Sequence, residues 1–475
     1  MAAAYAAWAR RSSRALAAGA GQGIKGGMSL ASSVLRPLAL GAAAALALAA
    51  PAVRAQTVPP DLDARVAAVL PQVVAWRRDI HEHPELGDHE VRTAALVAAE
   101  LKRLGMDVRT GVARTGVVGV LRGGKPGGVI ALRSELDALP VQEKTGLPFA
   151  SRATATYNGA VVPVAHACGH DSHIAMLLGA ARILAAMKDQ IPGTVVFLFQ
   201  PAEEGSEGGI EGGAPLVIKQ GGLDMPRPGA VFGLHVVPGP VGHIATRKGP
   251  FMAASDTLDI RLKGRGTHGA EPWGGVDVVN LSAAIVRALN VIAARQEDVT
   301  ESPNVLTIGS IQAGTRFNVI PDEATLAGTL RTFTPERRAD IKARVERTVR
   351  DLADSYGATA EITWSGGNPP VMNDAGLVEE LGPALKAAAG PAGADLDARW
   401  VTTAEDFAHY RDVAPILFAH VGATPHFTDY ASAPVNHSPQ FTIDEAVLPV
   451  GVRMHVLVAL TWLHDHAGDQ APKPR

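Results

Sequence analysis

Between residues 61 and 83 apolar side chains fall at Val66, Val69, Val73, Trp76 and Ile80. That spacing predicts an amphipathic helix, and Pro84 predicts its end. A second helix is expected over about 89–104, stopping at Gly105. The pattern then changes to short apolar runs at 116–121, 129–133, 194–199 and 231–236, with a helical stretch over about 170–187 between them. Unbroken apolar runs predict strands buried on both faces, and the polar residues at their ends are where chemistry is expected. Strands alternating with helices predict an α/β domain.

From about 252 to 365 the order differs. A strand (257–263), a helix (276–296), two strands (304–311 and 324–332), a charged amphipathic helix (335–356) and a last strand (358–364) are expected. This β-α-β-β-α-β order is the ferredoxin-like unit, read here as a domain inserted into the larger one. Residues 56–251 and 366–475 then form the two segments of that larger domain. The glycine-rich stretches at 205–213 and 221–229 read as loops.

The first 55 residues hold six basic residues and no acidic one. Within them 38–50 is an apolar run of signal-peptide length, too short to span a bilayer, and Val53-Arg54-Ala55 offers a cut before Gln56. The expectation is a cleaved secretory signal, with Met28 as an alternative start and no stable membrane anchor afterwards. The mature chain would be secreted or periplasmic. Without the leader 38 Lys and Arg remain against 47 Asp and Glu, which argues against a nucleic-acid partner.

Cys168 is the only cysteine in 475 residues, so it has no internal disulfide partner. It stands between His166 and His170, in His166-Ala167-Cys168-Gly169-His170-Asp171. Thiolate and imidazole together suit a borderline-soft divalent cation. Glu203 and Glu204 follow one apolar run, and His235 ends another; His437 lies in Asn436-His437-Ser438-Pro439. Adjacent carboxylates repel unless a positive charge lies beside them. One Cys, three His and one Glu exceed the needs of one tetrahedral ion and suffice for two ions with open positions, leaving a spare Glu as base.

Eight segments resemble, in order, the N-acyl-amino-acid amidohydrolase branch of the di-metal aminoacylase/carboxypeptidase superfamily, which includes hippurate and auxin-conjugate hydrolases. They begin at Ala131, His166, Gln200, Gly233, Thr267, Asn318, Ala404 and His437. The resemblance covers about residues 62–465. It implies a di-metal aminopeptidase-like catalytic domain with a ferredoxin-like lid. It implies that Cys168, His170, Glu204, His235 and His437 hold two divalent ions, zinc or manganese. Glu203 matches the general base, and His268 a lid histidine that polarises the scissile carbonyl. Asn318 and Arg331 match groups that hold the substrate carboxylate, and Asp137 matches an orienter behind the ligands. The implied reaction is hydrolysis of N-acyl or N-aroyl amino acids by metal-activated water. Carboxypeptidase or dipeptidase action on short peptides is the alternative, and a non-catalytic metal-stabilised binding protein the reading from another class. The lid also carries subunit contacts in this superfamily, so a homo-oligomer is expected. The chain departs from the family at Glu135 (usually Asp), Thr267 (often Gly) and Trp273 (often His); the last two bear on substrate preference.

Overall fold

The computed structural model describes residues 59–425, 429–430 and 432–469. The leader expected at 1–55 lies outside these residues. The chain begins with two helices, α1 (Leu62–Glu82) and α2 (Val91–Arg103), followed by strands β1 (Asp107–Val112), β2 (Gly116–Arg122) and β3 (Lys125–Glu135). Next come α3 (His170–Ala186), β4 (Pro192–Gln200), β5 (Ala230–Val237) and the short β6 (Ile244–Ala245). The chain re-enters this layer after residue 370 with α6 (Ala375–Ala389), β11 (Ala394–Asp395), β12 (Ile416–Gly422) and α7 (Leu448–Asp465). These strands form one sheet in the order β1-β2-β4-β3-β5-β12-β6-β11, with β4, β3, β5 and β12 mutually parallel at its centre.

The central strands are apolar throughout because both faces are covered. In β3, Ile130 and Leu132 point into one core while Val129 and Ala131 point into the other. The same alternation holds in β4, where Val195, Phe197 and Phe199 oppose Val196 and Leu198. The first core lies under α1, α3, α6 and α7; the second contains Phe251, Phe407, Tyr410 and Phe418. The elements that escaped the sequence reading include β1, β6, β11, β12, α6 and α7. β1 is a polar, largely exposed edge strand with no apolar run. β12 is fully buried beside β5, but nothing local to it states that neighbour.

The intervening segment has its own sheet and core. β7 (Ala254–Lys263), α4 (Val278–Arg295), β8 (Val305–Ala313), β9 (Glu323–Thr332), α5 (Pro335–Tyr356) and β10 (Thr359–Ser365) follow one another in the expected β-α-β-β-α-β order. The four strands are antiparallel in the order β8-β9-β7-β10. Leu258, Ile260 and Leu262 of β7 pack with Leu281, Ile285 and Leu289 of α4 and Ile341, Val345 and Val349 of α5. Asp277 caps α4, accepting from Val279 and Asn280 N–H, and Thr334 caps α5, accepting from Arg337 N–H.

Close helix packing sets the position of α3, whose first turn carries chemistry. A Cβ on Gly179 would lie 2.7 Å from Val73 Cγ2 of α1 and 2.9 Å from Val452 Cγ2 of α7. Valine side chains are stiff and cannot turn away. Gly179→Leu is therefore expected to destabilise the fold by about 1–3 kcal/mol, seen as a lower thermal midpoint.

Candidate metal centre

The parallel strands deliver their carboxyl ends to one edge of the sheet, the usual position of sites in such folds. β3 ends at Glu135, β4 runs into the turn carrying Glu203 and Glu204, and His235 lies near the end of β5. His170 is the first residue of α3, and Gly169 precedes it at φ +98°. A Cβ at Gly169 would sit 2.4 Å from Val236 Cγ2, so only glycine lets Cys168 and His170 flank this point.

The ligand atoms of Cys168, His170 and His235 lie within 4.8 Å of one another, as do those of Cys168, Glu204 and His437, and of His170, Glu203 and Glu204. Cys168 Sγ is 3.3 Å from His235 Nε2 and 3.2 Å from His437 Nε2. His437 Nε2 is 2.9 Å from Glu204 Oε1. All six residues expected to carry ligands or base therefore converge, from four separate stretches of chain.

Their outer atoms are already engaged. His170 Nδ1 lies 2.8 Å from the Asp137 carbonyl oxygen and 3.3 Å from Asp137 Oδ1, while its Nε2 is buried with no partner. Asp137 Oδ2 accepts the Glu204 N–H at 2.9 Å. His235 Nδ1 is 2.7 Å from the Val236 carbonyl. Donating Nδ1–H to an oxygen leaves the Nε2 lone pair free, as a ligating imidazole requires. Asn436 Nδ2 donates to the Cys168 and Val236 carbonyls at 3.0 and 3.1 Å, and His437 N–H to the Ala167 carbonyl at 2.8 Å. These bonds hold His437 at φ +70°, rare for a non-glycine residue. Ala202, at φ +50°, starts the carboxylate turn and donates its N–H to Glu90 Oε1 at 2.8 Å.

The electrostatics call for cations. Burial raises the Glu203 carboxyl well above its ordinary range, and Glu405, Glu204 and Asp406 raise it further. Burial together with Glu204 and Glu203 pushes up the Cys168 thiol. Burial opposes charge on His170, but Asp137, Glu135 and Glu204 outweigh it and raise the imidazole to about 10. Burial and His173 hold His235 neutral. Protein groups alone leave excess negative charge beside an orphaned imidazole nitrogen and a thiol. Divalent ions would correct both, so the donor set fits them.

A second buried network lies behind the first. Arg133, fully buried, bonds Glu135, Glu405 Oε1 (2.9 Å), Asp406 Oδ1 (2.8 Å) and Gln200 Oε1 (2.9 Å). Gln200 Nε2 donates to both Asp406 oxygens, and Tyr410 O–H to Gln200 Oε1 at 2.8 Å. Glu135 Oε2 receives His173 Nδ1–H at 2.8 Å, and His173 Nε2 accepts the Val236 N–H at 2.9 Å. His173 is thus fully used and unavailable to an ion. Burial raises Asp406 to about 7 despite Arg133. Sequence reasoning gave these residues no role. Two signals were available: Arg133 in an apolar strand, since a buried guanidinium requires acidic partners elsewhere, and the family-like segments beginning at Ala131 and Ala404, which hold Glu135, Glu405 and Asp406.

His166 is buried with neither ring nitrogen paired, and its ring lies 6.4 Å from that of His81. His268 is exposed on the inserted domain, in a two-residue ladder with Val319, and its Nδ1 accepts the Ala270 N–H at 3.0 Å. Gly269 N–H donates to the Asn318 carbonyl at 2.9 Å, which brings His268 and Asn318 together; the Asn318 amide oxygen has no partner. Arg331, half-buried near the end of β9, faces Ser255 across the ladder. Among the described residues no hydrogen bond or ion pair joins these three to the Cys168 cluster.

A parallel-centred α/β sheet with this donor set at its strand ends belongs to a metal-dependent hydrolase acting on amide bonds. Residues 131–461 match peptidase family M20/M25/M40, and the chain belongs to that family. It is 39% identical over 395 residues to thermostable carboxypeptidase 1 of Saccharolobus solfataricus, covering 82% of this chain and 95% of that protein. It is 37% identical over 381 residues to N-acetyl-L-cysteine deacetylase of Bacillus subtilis, covering 79% and 85%. The solved YXEP protein of Bacillus subtilis, described as a dinuclear metal binding peptidase of the M20 family, superposes with TM-score 0.69 at 34% identity, over 84% of this chain and 99% of that one. Membership of this family supports two divalent ions here.

Two outcomes follow from the charge distribution. Adding zinc or manganese to metal-free protein is expected to raise its thermal midpoint and to release protons, Cys168 giving up its own, as read with an indicator dye. Arg133→Leu is expected to cost about 3–5 kcal/mol, because three carboxylates lose their buried cation. That loss shrinks from pH 8 to pH 5 as protons take the cation's place, so unfolding midpoints across this range check it.

Proposed function

We propose that this chain hydrolyses the amide bond of N-acyl or N-aroyl amino acids, giving a carboxylic acid and a free amino acid. The observation that carries the reading is Glu203: a partly buried carboxylate with a raised pKa, within 4.8 Å of His170 and Glu204 ligand atoms. A structural ion site has no use for such a spare base. Cys168, His170, His235, Glu204 and His437 would hold the two ions, zinc or manganese. Bound there, the ions would supply Lewis acidity to the carbonyl and acidify water.

Glu203 takes the proton from the attacking water and passes it to the leaving amine nitrogen. Asp137 keeps His170 and the Glu204 backbone in place from behind. His268 donates a hydrogen bond to the oxygen that becomes negative. Asn318, with its unpartnered amide oxygen, and Arg331 hold the amino acid's carboxylate; bidentate bonding to a guanidinium suits that group. These three lie on the inserted domain, so the reading requires that domain to close over bound substrate. The basic, apolar leader supports export to the periplasm or beyond, and the inserted domain would carry homo-oligomer contacts.

The similarity to a protein named a carboxypeptidase favours a second reading, action on short peptides through the same centre. Amine release from N-acetyl and N-benzoyl amino acids, measured beside free dipeptides, separates the two. Glu203→Gln is expected to lower kcat by about 10²–10⁴ while metal content stays at the wild-type level. Full turnover in that variant would remove the base from the mechanism.

A further inference from the structure

The turn that carries Glu203 and Glu204 is held on its outer side by a residue the mechanism does not use. Glu90 is fully buried, and its Oε1 accepts the Ala202 N–H at 2.8 Å. Its Oε2 lies 2.5 Å from Thr115 Oγ1, in the turn between β1 and β2. We propose that Glu90 is a positioning residue, which fixes the Ala202 peptide and through it aims Glu203 at the centre. The proposal rests on the reading of Glu203 as the base and adds what keeps that base in line.

Glu90 stands at the N-cap of α2, where a side-chain oxygen commonly accepts one of the helix's own free N–H groups. It makes no such bond. Glu85 takes that part instead, accepting the Arg92 N–H at 2.9 Å through Oε1 and the Thr93 N–H at 2.8 Å through Oε2. With its helix end satisfied from outside, the Glu90 side chain reaches across to the strand ends.

Ala202 needs an anchor. Its φ is +50°, a conformation that is costly for a residue with a Cβ and persists only where the surroundings impose it. Two glycines bring backbone against the same turn. A Cβ on Gly87 would lie 2.8 Å from the Gly205 carbonyl oxygen and 3.1 Å from Ala202 Cα. A Cβ on Gly116 would lie 2.8 Å from Pro201 Cδ and 3.2 Å from the Phe199 carbonyl oxygen. The loop before α2 and the β1–β2 turn therefore clasp the carboxylate turn, and Glu90 bonds to both the turn and the clasp. Asp137 holds the Glu204 N–H separately, so Glu203 stands between two anchored peptides.

Reach, not charge, is what Glu90 contributes. Burial and then Asp137 raise its carboxyl to about 8. At neutral pH one oxygen accepts from Ala202, and the other carries a proton that the Thr115 hydroxyl can accept. A primary amide offers the same acceptor and donor in the same places.

Three variants of the metal-loaded protein separate reach from charge. Glu90→Gln keeps the reach and cannot ionise. Glu90→Asp keeps the acid and falls one methylene short. Glu90→Met fills the space without an oxygen. Two readouts are taken: kcat and KM on the amide substrate the wild type turns over fastest, and hydrogen exchange of the backbone over residues 200–205 by mass spectrometry. For Glu90→Asp and Glu90→Met, kcat is expected to fall about 10–100-fold, with KM and metal content within about twofold of wild type and faster exchange. Glu90→Gln is expected to keep kcat within about threefold of wild type and exchange unchanged, since acceptor and donor are retained. Adding Ala202→Gly to Glu90→Met is expected to raise kcat again by about threefold or more, because glycine adopts φ +50° at no steric cost. A role in core packing alone would not respond to that change. Glu90→Gln as slow as Glu90→Met overturns the proposal, as does unchanged exchange in both Glu90→Asp and Glu90→Met. If exchange follows the expected pattern while Glu203→Gln retains full turnover, the base reading falls and Glu90 stands as the anchor of the turn alone.

Discussion

Buried negative charge is the constraint around which this molecule is arranged. Glu90, Glu135, Asp137, Glu203, Glu204, Glu405 and Asp406 meet at the carboxyl end of the central strands, with Arg133 the one guanidinium among them. Charges removed from water must be paired or neutralised, or the fold loses several kcal/mol for each. Arg133 settles Glu135, Glu405 and Asp406, and hydrogen bonds from Thr115 and the Ala202 N–H reach Glu90. Among the described residues no lysine or arginine forms an ion pair with Glu203 or Glu204, and His437 Nε2, 2.9 Å from Glu204 Oε1, reaches only one of the two. That remainder defines where cations must sit, and it leaves Glu203 with the high proton affinity expected of a base.

The same arrangement explains why the ligands are held so firmly. The His170 and His235 imidazoles each have Nδ1 against an oxygen, and the turns presenting Cys168 and Glu204 are pinned by Asn436 and Asp137 from other parts of the chain. Asp171, next to His170, bonds Arg77 at 2.8 Å and lies 2.9 Å from His81, so the first turn of α3 is fastened to α1. Phe149 packs its ring against both Arg77 and His81. Glu143, 3.1 Å from His81 Nε2, belongs to the same brace.

Much of this was legible in the sequence where signals are local. Runs such as 129–133 and 194–199 announce strands covered on both sides, and the β-α-β-β-α-β order of the inserted unit follows from periodicity alone. Glu203, Glu204 and His235 were legible because they follow or end apolar runs, His170 because it opens a helix, Cys168 as the lone cysteine, and His437 through the family resemblance. What stayed hidden depends on distant partners. The acidic pair Glu405-Asp406 has meaning only once Arg133, some 270 positions earlier, lies against it. His173 reads as one more polar residue near a helix start until Glu135 and Val236 claim both its nitrogens. β12 is as apolar as β5, but its place beside β5 is a fact of topology.

The inserted unit leaves and returns by adjacent paths: Gly249–Met252 pairs with Val371–Asn373, and Ser255 N–H bonds the Asn368 carbonyl at 3.0 Å. Topologically it is a side branch, with entrance and exit through one doorway. The register of the eight-stranded sheet does not depend on what hangs from that doorway. A lineage could exchange the branch, lengthen it or reshape its face while the strand register beneath the ion-binding edge stayed intact.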